Sequence, residues 1–303
     1  MLLEQKYKTY LKLIQERQDG NGFIESDHCD SLLFTSLAAC SPNVSIWIGA
    51  AKSPDGRWNR RPTQCLPCTS EGWDRSILSR IAECLKARSM DRDILRRIFE
   101  RGNSTISRDM LLGLAWYAYH KKQLYISESV INYALSHKMI MGDGTPTKTL
   151  MTPGLLSTFA WVSYRLGGPS RYWLRWIPNT ASSGLYGYQA HLAVLHIMLR
   201  HGLEHKISKK NQSVLDEQIK RSPRNPLFLI AAKRFIEVAN VLNDASLWPE
   251  DRLPTSADRK TEWLQMRDEG DDWRPSDDGR LHSGGDFIFL YWLLKHQSQL
   301  KSV

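Results

Sequence analysis

The feature that most constrains this chain is a set of segments that are apolar on every side. They are 30–39 (DSLLFTSLAA), 109–120 (DMLLGLAWYAYH), 154–166 (GLLSTFAWVSYRL), 188–201 (YQAHLAVLHIMLRH), 226–242 (PLFLIAAKRFIEVANVL) and 286–295 (DFIFLYWLLK). Apolar residues recur three and four apart, which is the helical period, and alternating runs are scarce. A helix that is apolar all round must be buried all round. Charged, amphipathic segments lie between them, at 2–17, 74–101 (broken near Ser89), 123–139, 211–221 and 258–267, and 170–176 would be a short outer helix. Charged and apolar helices therefore alternate about six times. That order predicts an all-α fold with an inner ring inside an outer one, an α/α toroid of about six helical hairpins. An irregular helical solenoid shows the same alternation, but no fixed repeat length marks a consensus array.

With 303 residues, 42% of them hydrophobic, the chain has the composition of a folded domain. It reads as one all-α domain over 1–303, with a long loop insertion at 41–73 and an irregular segment at 245–285. No apolar run reaches the roughly 18 residues of a membrane span, so no membrane partner is expected. The opening MLLEQKYKTYLKLIQERQDG mixes Lys, Glu and Arg into its apolar pattern and reads as a helix of the fold, not a signal peptide. A cytoplasmic protein is expected on that ground, with particle-borne or non-classical release left open. The five cysteines, Cys29, Cys40, Cys65, Cys68 and Cys84, all fall in the first third and suit a reducing compartment.

Lys and Arg number 41 against 32 Asp and Glu, a net charge of +9. That balance favours anionic partners such as an acidic polysaccharide or nucleic acid. The clusters Arg57–Arg61, Arg96–Arg101 and Lys206–Lys210 are short, and solvated helix faces are the better account of them.

The connections into the apolar helices are long and rich in Gly, Pro, Asn, Trp and Arg, and such loops often carry function. In a ring of hairpins they open on one face, where helix N-termini favour anions. Asp30, Asp109 and Asp286 open three of the apolar helices. Tyr188 and His191 stand at the start of 188–201, and Arg60, Arg61, Arg108, His282 and Trp58 fall nearby. Aromatic rings stack on sugars, and two carboxylates with room for a water suffice to hydrolyse a glycosidic bond with inversion. Asp109 with Asp30 or Asp286 is the expected acid/base pair, and Arg108 and Arg61 would orient substrate. For a polyuronate, the arginines would neutralise the carboxylates, and Tyr188 or His191 would abstract the adjacent proton in a lyase reaction. Each Asp also stands where an N-cap belongs, so capping alone explains any one of them.

The alternation, with junctions such as SRDMLLGLAWY and HSGGDFIFLYW, resembles the (α/α)6-toroid glycoside hydrolases and polysaccharide lyases. The resemblance spans most of the chain. It implies an active cleft at the ends of the inner helices, with Asp or Glu as acids and bases. It is one of architecture and junction type, matching no family-specific motif, so no individual role is carried over.

Three rivals stay open. His201-Gly202-Leu203-Glu204-His205 matches an H-x-x-E-H zinc-protease pattern, but Gly202 looks like a helix terminator. Cys65 and Cys68 form a CxxC without the second pair a zinc site wants. Neither changes the expectation of no metal and no cofactor. The third rival is a non-enzymatic helical binding protein with a protein or nucleic-acid partner, such as a viral or host-interaction factor. Phosphate-loop, dinucleotide and nucleophile-elbow motifs are missing from the sequence.

Overall fold

The computed structural model describes residues 3–24, 31–60, 62, 106–141, 149–170, 194–199, 209–255, 257–259 and 281–296. Within them the fold is helical, with isolated β-bridges and no named strand. The helices are α1 Leu3–Gln15, α2 Ser31–Ala38, α3 Arg108–His120, α4 Leu124–Ser136, α5 Pro153–Arg165, α6 Lys209–Arg221, α7 Pro226–Ala231, α8 Phe235–Asn243 and α9 Gly285–Lys295. A 3-10 turn spans Ile48–Ala51, and 194–199 is helical. No helix among the described residues is long and apolar enough to cross a membrane. The expected helices 74–101 and 170–176 fall outside the described residues, apart from Ser170, and 258–267 falls outside apart from Asp258 and Arg259.

The apolar segments form the centre, as their all-round hydrophobicity requires. Every residue of α2 is buried, and α2 packs against both α3 and α9. Two glycines set how closely. A Cβ on Gly285 would stand 2.8 Å from the Phe34 carbonyl oxygen, and one on Gly113 would stand 3.2 Å from the Leu33 Cα. The backbones of α3 and α9 therefore nearly touch that of α2.

Side-chain pairs fix the helix directions. Trp116 meets Phe289 edge-on at 5.3 Å, and His120, one turn on, meets Trp292 at 5.4 Å. So α3 and α9 are parallel. Leu33 lies against Gly113, and Cys40, just past the end of α2, lies close enough to Trp116 and Lys121 to feel both, so α2 runs the same way. The amphipathic α1 runs against α9: Tyr7 stacks on Tyr291 at 4.3 Å, Tyr10 on Phe287 at 4.2 Å, and Ile14 reaches Gly284. Likewise α4 opposes α5. Ser127 Oγ donates to the Phe159 carbonyl at 2.8 Å, Ser163 Oγ donates to Glu128 at 2.5 Å, and Leu124 lies at Gly168. Since α3 also turns back into α4 through a short connection, α5 is parallel to α3. Buried α2, α3, α5 and α9 thus share one direction, and the flanking α1 and α4 take the other.

The short hairpins depend on helix ends closed in the left-handed region. Lys122 has φ 54°, and the amides of Lys122 and Gln123 donate to the Tyr119 and Ala118 carbonyls. Gly167 makes the same Schellman closure with φ 79°. So does Lys233 with φ 61°, which corrects the expectation of one apolar helix over 226–242. The chain stops at Ala231 and restarts at Phe235, because Lys233-Arg234 interrupts the apolar stripe and the closure satisfies the free carbonyls of α7.

The insertion at 41–73 is not wholly a surface loop. Its described part turns at Gly56 (φ 87°), pairs Lys52 with Trp58, and buries Val44, Ile48, Ala51 and Trp58.

Because the Phe34 backbone cannot yield as a side chain tip can, Gly285→Ala is expected to cost about 1–3 kcal/mol despite alanine's better helix propensity. Gly20→Ala, with nothing within 4 Å of its added Cβ, should be close to neutral. Urea unfolding of the two variants tests this.

Candidate functional site

The shared direction of α2, α3, α5 and α9 brings their N-termini to one end. Thr149, three residues before the α5 cap, donates from Oγ1 to the Ile106 carbonyl at 2.5 Å, just ahead of α3. The Leu32 amide donates to the Arg60 carbonyl at 3.0 Å, which fastens Arg60 to the first turn of α2. Arg60 and Arg108 are half-buried at this end.

Asp109 lies in the first turn of α3, and Ser107, not Asp109, holds the N-cap position. The Ser107 hydroxyl donates to the Asp109 carboxylate, which also accepts from the Met110 amide at 2.9 Å. Asp109 keeps 8% exposure. These bonds orient the carboxylate, and among the described residues no cation pairs with it.

Asp286 occupies the equivalent place in α9 in a different environment. Gly284 (φ 71°) is the N-cap, and Ser283 Oγ accepts from the Gly285 amide at 3.1 Å. Asp286 Oδ1 accepts from the Phe287 amide at 2.9 Å, and Oδ2 accepts from the Arg259 guanidinium at 2.8 Å. Both members of the pair are 0% exposed. The guanidinium lies 3.7 Å over the Trp248 ring, whose other neighbours include Tyr10 and Phe287. Burial pushes the Tyr10 phenol up, beyond the ordinary tyrosine range.

This placement corrects part of the sequence expectation. In this conformation Asp286 is a structural counter-ion, because it is sealed from solvent and committed to Arg259. Trp58 offers no face to a sugar: it is fully buried, and its indole N–H donates to Ser129 Oγ of α4 at 3.1 Å. His282 is fully buried too, with its amide donating to the Pro254 carbonyl at 2.8 Å. Asp30, Arg61, Tyr188 and His191 lie outside the described residues, as do Cys65, Cys68, His201, Glu204 and His205. Among the described residues no group of three His, Cys, Asp or Glu side chains is placed to hold a metal ion.

At the opposite, C-terminal end stands a cluster that the sequence reading missed. His120 lies 4.1 Å from Trp116 and 5.4 Å from Trp292, which stacks on His296 at 4.5 Å. The spacing of four in Trp116–His120 and Trp292–His296 carries part of the signal, but only packing joins the two helices. Burial, with repulsion from Lys121, pushes the His120 imidazole down to about 4 from an ordinary 6.5.

Removing one partner of a buried pair leaves a bare charge inside, so Asp286→Ala should destabilise by about 3–5 kcal/mol. Adding Arg259→Met should restore much of that loss, as read by urea unfolding. Because the folded protein holds His120 neutral, the unfolded chain binds its proton first. Stability from this group is present above pH 6.5 and falls toward pH 4. The wild type should lose about 2 kcal/mol between pH 7 and pH 5 from this group, and His120→Phe should not.

The chain matches no protein-family model, no curated protein and no solved structure, so its own residues carry the functional reading.

Proposed function

We propose that the protein acts on an anionic glycan at the N-terminal end of its parallel apolar helices, hydrolysing a glycosidic bond with Asp109 as one member of the acid/base pair. The observation that carries this reading is the single direction of α2, α3, α5 and α9. It gathers helix N-termini, Asp109, Arg60 and Arg108 at one end, where partial positive charge favours an anionic substrate. The reversed α1 and α4 are what an α/α toroid would need, and that arrangement is part of the proposal. With Asp286 committed to Arg259, Asp30 at the start of α2 is the remaining candidate for the second carboxylate. Arg60 and Arg108 would hold the substrate's uronate or sulfate groups. The lyase reading, through Tyr188 or His191, differs in product and not in place.

Purified protein is incubated with a panel of neutral, uronate and sulfated polysaccharides, following new reducing ends and unsaturated uronates together. Reducing ends without unsaturated product are expected. Asp109→Asn should lower the rate about 10²–10⁴-fold and keep the fold, because Ser107 holds the cap position. Full activity in that variant removes Asp109 from the mechanism. Unsaturated product moves the assignment to a lyase. Silence across the panel overturns catalysis and leaves a helical binding protein.

A further inference from the structure

Between α1 and the turn that follows α8 lies a group of buried donors that the glycan reading does not use. Lys6, Tyr10 and Trp248 are all 0% exposed. Among the described residues, Lys6 Nζ, Tyr10 Oη and Trp248 Nε1 have no hydrogen-bond partner. They belong to one neighbourhood. Lys6 and Tyr10 are four residues apart on one face of α1, and the Tyr10 ring centroid is 6.3 Å from that of Trp248. Trp248 sits in the turn between Asp244 and Glu250, the two carboxylates whose charge acts on Lys6.

The charges around them are largely matched elsewhere. Asp244 accepts from the Ser246 amide at 2.9 Å and from its hydroxyl at 2.6 Å, and it pairs with Arg224. Asp258 is bidentate with Arg252, at 2.6 and 2.8 Å, and Asp286 holds Arg259. Glu250 is exposed. Among the described residues Lys6 is a buried ammonium without a hydrogen-bonded counter-ion, and such a charge is costly unless an acceptor meets it. Burial lowers the Lys6 amine to about 8, which still leaves it mainly protonated at neutral pH.

An ammonium and an indole N–H are donors only, and a phenol readily joins them as a third. Their common complement is a compact group with several acceptor lone pairs. Full burial of all three excludes a polymer, since no chain could thread past α1 without unpacking it. We propose that Lys6, Tyr10 and Trp248 form an internal site for one small oxyanion of the phosphate or sulfate class. Ala245, Ser246 and Glu250, in the same turn as Trp248, are exposed. The ion would tie α1 to the 244–250 turn and stabilise the fold without taking part in glycan chemistry.

The test uses the full chain and inorganic phosphate or sulfate, with chloride at matched ionic strength as control. Ligand that binds only the folded state raises the unfolding midpoint with concentration, by roughly 5 °C at one hundred times Kd for a chain of this size. Calorimetric titration should give one phosphate per chain. Lys6→Met should abolish both responses and unfold at a higher temperature than wild type in chloride, because the unmatched charge is gone. Tyr10→Phe should fold and weaken phosphate binding several-fold, which keeps the test valid if Lys6→Met fails to fold. An equal phosphate response in wild type and both variants would assign the effect to surface basic residues and overturn the site. No phosphate or sulfate effect on wild type beyond that of chloride would overturn it as well.

Discussion

The packing of this protein turns on the near-contact of three helix backbones. At Gly113 and Gly285 no side chain separates α3 and α9 from α2, and the carbonyl of Phe34 and the Cα of Leu33 fill the space a Cβ would take. Interiors pack as densely as organic crystals, so such a contact sets the spacing of everything around it. With α2 held from both sides, the aromatic residues of α9 fall into register with those of α3 on one flank and those of α1 on the other. The shared direction of the buried helices follows, and with it the collection of their N-termini at one end.

That end shows how one local pattern takes two roles. Asp109 and Asp286 each stand in the first turn of a buried helix, and each accepts a hydrogen bond from the amide that follows it. What separates them lies far away in the chain. Arg259, stacked on Trp248, reaches Asp286 and turns it into half of a sealed ion pair. Asp109 meets the hydroxyl of Ser107 instead and keeps some contact with solvent. A carboxylate serving acid/base chemistry must reach its substrate, so burial, not residue type, divides the candidates.

Buried charge recurs on this side of the molecule. Asp286 and Arg259 meet each other as opposite buried charges, whereas Lys6 has no hydrogen-bonded counter-ion among the described residues, and that difference is why the Lys6 neighbourhood points to a ligand and the pair points to stability. The aromatic end beyond Trp116 and Trp292 keeps a neutral imidazole inside, which links stability to mildly acidic pH.

The helices themselves were legible because hydrophobic period is a local property. Segments 30–39, 109–120, 154–166 and 286–295 return as α2, α3, α5 and α9, shifted by at most one residue at their ends, as caps and fraying allow. The break at Lys233 was not legible, since a lysine in the left-handed region carries no glycine to announce it. Nor was the burial of Trp58, which depends on Ser129, seventy-one positions away. Sequence alone determined that the chain is helical and that its apolar helices must be enclosed, because an apolar surface has to leave water wherever it lies. Only tertiary structure decided which carboxylate is sealed by an arginine, which tryptophan is core and which lysine is buried without a hydrogen-bonded partner among the described residues. Those outcomes rest on contacts between residues far apart in the chain, and no local pattern encodes them.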